Sequence, residues 1–112
     1  MEPLLSVRFY ASFNGREPVR EWLKAMASED RKAVGTDIKT VQYAWPLGMP
    51  LVRKMEGGLW EVRSNIPGGS VRVLFTVIGT DMVLLHGFEK TSAKTPKADL
   101  ATALTRLREL QS

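Results

Sequence analysis

Cysteine is absent from this chain of 112 residues, and histidine occurs once, as His86. Without cysteine the protein has no disulfide, no thiolate nucleophile and no cysteine-based metal site. A single imidazole also argues against a histidine-rich metal centre and against a nuclease that uses two histidines. We therefore expect no metal site and no cofactor.

Long apolar runs are missing as well. No stretch approaches the ~20 residues that a membrane-spanning helix needs. The first residues, MEPLLSVRF, lack the basic leader and apolar core of a secretory signal. We expect a cytoplasmic protein that contacts no membrane. With 44% hydrophobic and 25% charged residues, its composition predicts one globular domain over residues 1–112.

Positive charge is in modest excess. Sixteen basic and twelve acidic residues give a net charge of +4 and a pI near 9.7. Residues 53–112 hold nine basic and six acidic residues, whereas residues 1–52 hold seven and six. Such a balance favours an anionic partner, with nucleic acid as the first candidate. Because the excess is small, an RNA-directed activity would need a second source of positioning.

Hydrophobic periodicity divides the chain into seven elements. Partial alternation over Leu4–Tyr10 predicts a strand, and helices are predicted to begin at Pro18 and at Ser28, the second ending before Pro46. Residues 46–58 are predicted to form a loop. Three further strands and a last helix follow. The strands are Leu59–Arg63, Val71–Ile78 and Met82–Phe88, and the helix has Thr95 as its N-cap and Pro96 at its first helical position. The order β-α-α-β-β-β-α predicts an α+β fold, with an antiparallel meander packed against a helical hairpin.

The register of the meander follows from keeping apolar residues on one face. Pairing Trp60 with Phe75 and Val62 with Val73 buries both pairs, and it sets Arg63 opposite Arg72. A three-residue turn in the next hairpin predicts the pairs Val77–Val83, Phe75–Leu85, Leu74–His86 and Arg72–Phe88. The face away from the helices is then expected to be uncovered. It is expected to collect Glu61, Arg63, Arg72, His86 and Phe88, with Lys90 beyond the strand end.

Each of these residues has a plain and a functional interpretation. Neighbouring arginines either form an exposed surface offset by Glu61 and solvent, or clamp a phosphate through bidentate guanidinium contacts. Phe88 either packs or stacks on a base. His86 is better explained as a structural or solvent-facing residue than as a catalytic one. The basic residues around the entry to the last helix form a solvated patch or an RNA contact, and they are Lys90, Lys94 and Lys97.

Three segments in order carry a family resemblance: LVRKMEGGLWEVRSN, then VRVLF, then LLHGFEKTSAKTP leading into a basic helix. Together they resemble the phage-derived, HigB-like branch of the RelE/ParE toxin superfamily. The resemblance implies a RelE-like fold and a toxin of a type II toxin–antitoxin system. RelE- and HigB-like members cut messenger RNA in the ribosomal A site. The implied partners are therefore the ribosome, its mRNA and a small antitoxin with a helix-turn-helix domain.

The resemblance also implies roles for individual residues. Arg63 and Arg72 match basic positions on the RNA-facing sheet, and Lys90 lies near the basic catalytic position towards the carboxyl end. We hypothesise that the two arginines clamp the phosphate and stabilise the transition state, while Lys90 or Glu61 handles the proton of the attacking 2′-hydroxyl. The residues expected to bind RNA are Arg53, Lys54, His86, Phe88, Lys94 and Lys97. Some relatives have lysine in place of Glu61, and others end the last strand with a histidine or tyrosine that this chain lacks.

Two other functions fit the same sequence. A ParE-like toxin would have this fold but would inhibit DNA gyrase as a protein ligand, without nuclease chemistry. A phage-derived interaction protein would have no enzymatic activity, and its expression would be harmless.

Overall fold

Eight elements make up the structure, a computed structural model that describes residues 2–112. They are β1 (Ser6–Phe9), α1 (Pro18–Lys24), α2 (Ser28–Ala44), β2 (Val52–Lys54), β3 (Trp60–Ile66), β4 (Gly69–Ile78), β5 (Asp81–Glu89) and α3 (Lys97–Gln111). The predicted α+β class is confirmed, and so is the predicted order apart from one addition. The addition is β2, a short strand inside the segment predicted to be a loop. None of the helices in residues 2–112 has the length and hydrophobicity of a membrane-spanning segment.

The five strands form one mixed sheet in the order β1-β5-β4-β3-β2. The strands β3, β4 and β5 form the predicted antiparallel meander, and β2 adds to β3 in the antiparallel sense. The first strand, β1, pairs with β5 in parallel, which the sequence did not predict. A parallel neighbour is possible here because both helices of the hairpin separate β1 from the meander and allow the chain to return.

The predicted register between β3 and β4 is confirmed. Trp60 pairs with Phe75, and Arg63 pairs with Arg72. Aromatic and β-branched pairs of this kind fix the register because a slip of one residue would move them all to the other face.

The predicted register between β4 and β5 is wrong near the turn and correct further along. Ile78 pairs with Asp81, so the turn has two residues and begins with Gly79, whose φ of 62° suits a tight hairpin. The pairs next to the turn are therefore Val77–Met82 and Phe75–Leu84, not Val77–Val83 and Phe75–Leu85. A register shift between Leu74 and Phe75 inserts one extra residue on β5. This bulge restores the predicted pairs Leu74–His86 and Arg72–Phe88.

The helical hairpin packs on one face of the sheet. The predicted stripe of α2, with Val34, Ile38 and Val41, is buried in the core cluster that includes Phe75. The ring of Trp45 meets Trp60 edge-on at 5.2 Å and Phe75 at 5.7 Å between centroids. These aromatic contacts join the end of α2 to the centre of the sheet.

The opposite face is covered in part by α3, so the expectation of an uncovered face is wrong. Ala103 and Leu107 pack into a second core cluster with Leu74 and Leu85 of the sheet and with Leu59, which directly precedes β3. The apolar stripe of α3 has to be buried somewhere, and the hairpin already occupies the first face. Its start also differs from the prediction: α3 begins at Lys97, and its N-cap is Pro96 without a side-chain cap.

Candidate phosphate-binding site

Four charged residues of three adjacent strands lie on the face that α3 partly covers. Arg53 on β2 pairs with Glu61 on β3, and one row further Arg63 pairs with Arg72 on β4. Side chains at alternate positions of a strand share a face, so the two rows lie side by side. Lys54 pairs with Trp60 instead and so lies on the opposite face. The structure therefore brings Arg53, but not Lys54, to the predicted arginines.

Glu61 is fully buried, contrary to the exposed position expected for it. Its Oε2 accepts a hydrogen bond of 2.6 Å from the Thr95 hydroxyl. Its Oε1 lies 3.8 Å from Nε of Arg72, which is too far for a hydrogen bond. Within residues 2–112 neither of these two atoms has a hydrogen-bond partner. The carboxylate thus lies beneath the site, where solvent does not reach it.

Arg72 is also buried, with 6% of its surface exposed, whereas Arg63 opposite it is half-buried. Nη1 of Arg72 donates to the carbonyl of Val71 at 2.9 Å. Burial lowers the pKa of Arg72, and the Arg63 charge lowers it further, against the effect of Glu61. Arg63 reaches the surface with its Nη1 3.3 Å from Sδ of Met49.

Lys90 joins these residues from the chain just after β5. Its backbone N–H donates to Ser70 at 2.8 Å, and its Nζ donates to the carbonyl of Ala93 at 3.1 Å. Burial lowers the pKa of the Lys90 ammonium, and the charge of Arg72 lowers it further; Arg63 and Arg53 act in the same direction, whereas Glu61 raises it. We call Arg53, Arg63, Arg72 and Lys90, together with Glu61, the basic cluster.

His86 and Phe88 face α3 rather than an open surface. Nε2 of His86 lies 2.6 Å from Oδ1 of Asp99 on α3, and its ring stacks on Phe88 at 5.8 Å. Phe88 is 7% exposed and belongs to the second core cluster. This burial favours packing as the role of Phe88. Lys94 and Lys97 are exposed on either side of Thr95.

Two residues important for this face were not assigned to it from the sequence. Thr95 was expected to cap its own helix, yet its hydroxyl bonds Glu61. Arg106 donates to the carbonyl of Leu85 at 2.7 Å, where the bulge adds an unpaired residue, and its guanidinium lies 5.4 Å from the centre of the Tyr10 ring. No local signal marks either contact, because both depend on where α3 packs.

A family model described as phage-derived protein Gp49-like (DUF891) matches residues 21–108, which include every member of the basic cluster. The chain belongs to this Gp49-like family. The family is related to the RelE-type toxins of toxin–antitoxin systems, so the resemblance found in the sequence is confirmed in this broader form. No match to a curated protein was found.

The basic cluster of this Gp49-like protein has an unbalanced charge. Three arginines and one lysine oppose one carboxylate, which leaves four minus one, or three, positive charges. Arginine remains charged at all physiological pH values and presents a planar fork to oxyanions. Beside Arg63 lies a groove of about 280 Å³, which is lined by Pro50, Leu51 and Asn65 and also by the acidic residue Asp37 of α2. The cluster can therefore bind a phosphate group and stabilise negative charge that develops on it.

Proposed function

We propose that this Gp49-like protein is the toxin of a type II toxin–antitoxin system and, within it, a HigB-like, ribosome-dependent mRNA interferase. The supporting observation is that Arg63 and Arg72 are paired across β3 and β4, with Lys90 beside them. The buried carboxylate of Glu61 is the one negative charge in a cluster of three arginines and a lysine. Like charges placed opposite each other weaken a sheet. An anionic substrate that binds between Arg63 and Arg72 would offset the repulsion between their positive charges.

In this proposal the 2′-hydroxyl oxygen of the mRNA attacks the adjacent phosphorus. The bond from phosphorus to the 5′-oxygen breaks, leaving a 2′,3′-cyclic phosphate and a 5′-hydroxyl that takes its proton from water. Arg63 binds the phosphate at the surface of the sheet. Arg72, which is more deeply buried, stabilises the negative charge that develops on the phosphate. Each donor aimed at the developing charge contributes about 10²- to 10³-fold in rate.

Lys90 is the proton acceptor in this proposal. An ordinary lysine is almost entirely protonated at neutral pH, but burial and the neighbouring arginines lower the pKa of Lys90. Glu61 is a poorer candidate because it is fully buried and already accepts the Thr95 hydroxyl. The exposed residues Arg53, Lys94 and Lys97 extend the contact along the RNA backbone. The ribosome supplies the remaining positioning.

Arg63→Ala tests the nuclease, because Arg63 is half-buried and its loss leaves Glu61 and Arg72 together. We expect the variant to lose growth arrest and to cut translated mRNA about 10²- to 10³-fold more slowly, measured by primer extension after induction. Arg31→Ala is the matched control, because Arg31 is exposed on α2, which packs on the opposite face of the sheet from the basic cluster.

Three results would contradict the proposal. Full toxicity of Arg63→Ala would show that the arginine pair is not needed for the activity. DNA breaks with an SOS response, instead of cuts in mRNA, would favour the ParE-like alternative. Harmless expression of the wild-type chain would favour a non-enzymatic interaction protein.

The proposed neutralising partner is a small antitoxin with a helix-turn-helix domain. If an adjacent reading frame encodes such a protein, we expect its co-expression to restore growth. We also expect the encoded protein to copurify with the toxin. An adjacent helix-turn-helix protein that leaves growth arrest unchanged would count against this partner.

A further inference from the structure

The segment between β5 and α3 is attached to the sheet at both of its ends. At one end the backbone N–H of Lys90 donates a hydrogen bond of 2.8 Å to the backbone carbonyl of Ser70. At the other end the Thr95 hydroxyl donates to Oε2 of Glu61 at 2.6 Å. The residues between these two contacts are exposed. These two hydrogen bonds attach the segment itself to the sheet, whereas α3, which follows it, is attached separately through Asp99 and His86.

Within residues 2–112, the hydrogen bond from Thr95 is the shorter of the two polar contacts that the Glu61 carboxylate makes with side chains. Oε2 accepts that hydroxyl, whereas Oε1 lies 3.8 Å from Nε of Arg72 without a hydrogen bond. A buried carboxylate is costly unless hydrogen bonds or opposite charges compensate it. Glu61 thus joins the segment on one side to the arginine on the other.

The same segment holds the ammonium group of Lys90. Nζ of Lys90 donates to the carbonyl of Ala93, two residues before Thr95. A shift of Thr95 away from Glu61 would therefore move Ala93 and release the ammonium from its place beside Arg72.

We propose that Glu61 and Thr95 are positioning residues, whose hydrogen bond holds the segment 90–96 on the sheet and so keeps the Lys90 ammonium beside Arg63 and Arg72. This inference rests on the proposed function for its effect on cleavage. Its effect on Lys90 itself does not depend on any reaction. Both residues act through Lys90 and do not touch the RNA.

The two positioning residues are expected to shift the pKa of Lys90 in opposite directions when each is changed. Thr95→Val removes the donor, so the segment loosens, Lys90 becomes less buried and its pKa rises towards the ordinary value. Glu61→Gln keeps an oxygen that accepts the Thr95 hydroxyl, but it removes the charge that favours the ammonium. In that variant the pKa of Lys90 falls further.

The experiment measures Lys90 in two ways. Nuclear magnetic resonance of purified protein follows the titration of the Lys90 side chain, and single-turnover cleavage follows mRNA in the A site of programmed ribosomes. We expect Thr95→Val to slow cleavage about 10- to 100-fold through displacement of Lys90, and Thr95→Ser, which keeps the hydroxyl, to stay near the wild type. Thr40→Val makes the same change at an exposed position of α2 and is expected to alter neither measurement.

An unchanged Lys90 titration in folded Thr95→Val would overturn the inference. If circular dichroism shows Thr95→Val unfolded, Thr95→Ala decides, because it also lacks the hydroxyl but puts no methyl group in its place against the buried carboxylate of Glu61. An unchanged pKa of Lys90 in folded Thr95→Ala would likewise overturn the inference. If the wild-type protein cuts no mRNA, the proposed function fails, while the titrations still test the positioning role. A raised pKa of Lys90 in a folded variant that lacks the Thr95 hydroxyl would support it.

Discussion

Arg63 and Arg72 are directly opposed on β3 and β4, yet one is half-buried at the surface and the other is 6% exposed. Two like charges at this spacing destabilise a sheet. Glu61 lies below them and offsets part of the repulsion, with its Oε1 3.8 Å from Arg72. The pair is thus an arrangement that stability alone does not favour, as is common for residues that bind a charged substrate.

The buried pair Glu61 and Arg72 is expected to be strongly coupled. Arg72→Met alone leaves a buried carboxylate without its cation and should lower the free energy of unfolding by about 3–5 kcal/mol. Because removal of the Arg72 charge also destabilises the fold, Arg72→Ala would be a poor test of function. The double variant Glu61→Met/Arg72→Met removes both charges and should recover most of that loss. Urea unfolding of the two single variants and the double variant measures the coupling, and additive losses would show that the two residues do not interact.

Gly87 on β5 is expected to tolerate no side chain. A Cβ at this position would overlap the Trp22 indole ring of α1. Gly87→Ala should therefore lower the free energy of unfolding by about 1–3 kcal/mol, because Trp22 must move. Gly35→Ala is the control: nothing lies within 4 Å of a Cβ there, and alanine should stabilise α2 by about 1 kcal/mol. Thermal unfolding compares the two, and equal effects would contradict the packing described for Trp22.

Arg106 is expected to hold α3 on the sheet. Arg106→Met removes the donor to Leu85 and the contact with the Tyr10 ring, which should cost about 1–3 kcal/mol of stability. Amide hydrogen exchange should show the loss first within α3. Arg108→Met makes the same change at an exposed site and should alter stability by less than about 0.5 kcal/mol. Equal protection of α3 in both variants would mean that Arg106 does not hold this helix.

In the proposed mRNA cleavage, the rate is expected to depend on pH through Lys90, the proposed proton acceptor. Its lowered pKa means that the ammonium loses its proton at lower pH than an ordinary lysine, so the rate should rise with pH and level off above that pKa. Arg53→Gln removes a charge that lowers this pKa and should move the rising part of the profile to higher pH. Lys54→Gln, on the opposite face, should leave the profile in place. Identical shifts in both variants would point to an effect of net charge rather than of the basic cluster.

Sequence alone determined most of the hairpin and the centre of the sheet. The stripe of α2 and the pairing of Trp60 with Phe75 follow from burying apolar residues at helical and strand periods, and that pairing sets Arg63 opposite Arg72. These features depend on neighbours along the chain or on one adjacent strand. The hydrophobic pattern of the sequence is sufficient to predict contacts between residues of one helix or of two adjacent strands.

The tertiary structure decided the depth of the site and the partners of its residues. The bulge on β5, the parallel place of β1 and the burial of Arg72 depend on how separate elements meet. Thr95 shows the reason most directly: its hydroxyl is able to cap its own helix or to bond a carboxylate, and local energies for the two are similar. The docking of α3 brings it to Glu61, 34 residues away in sequence, and so selects the second contact.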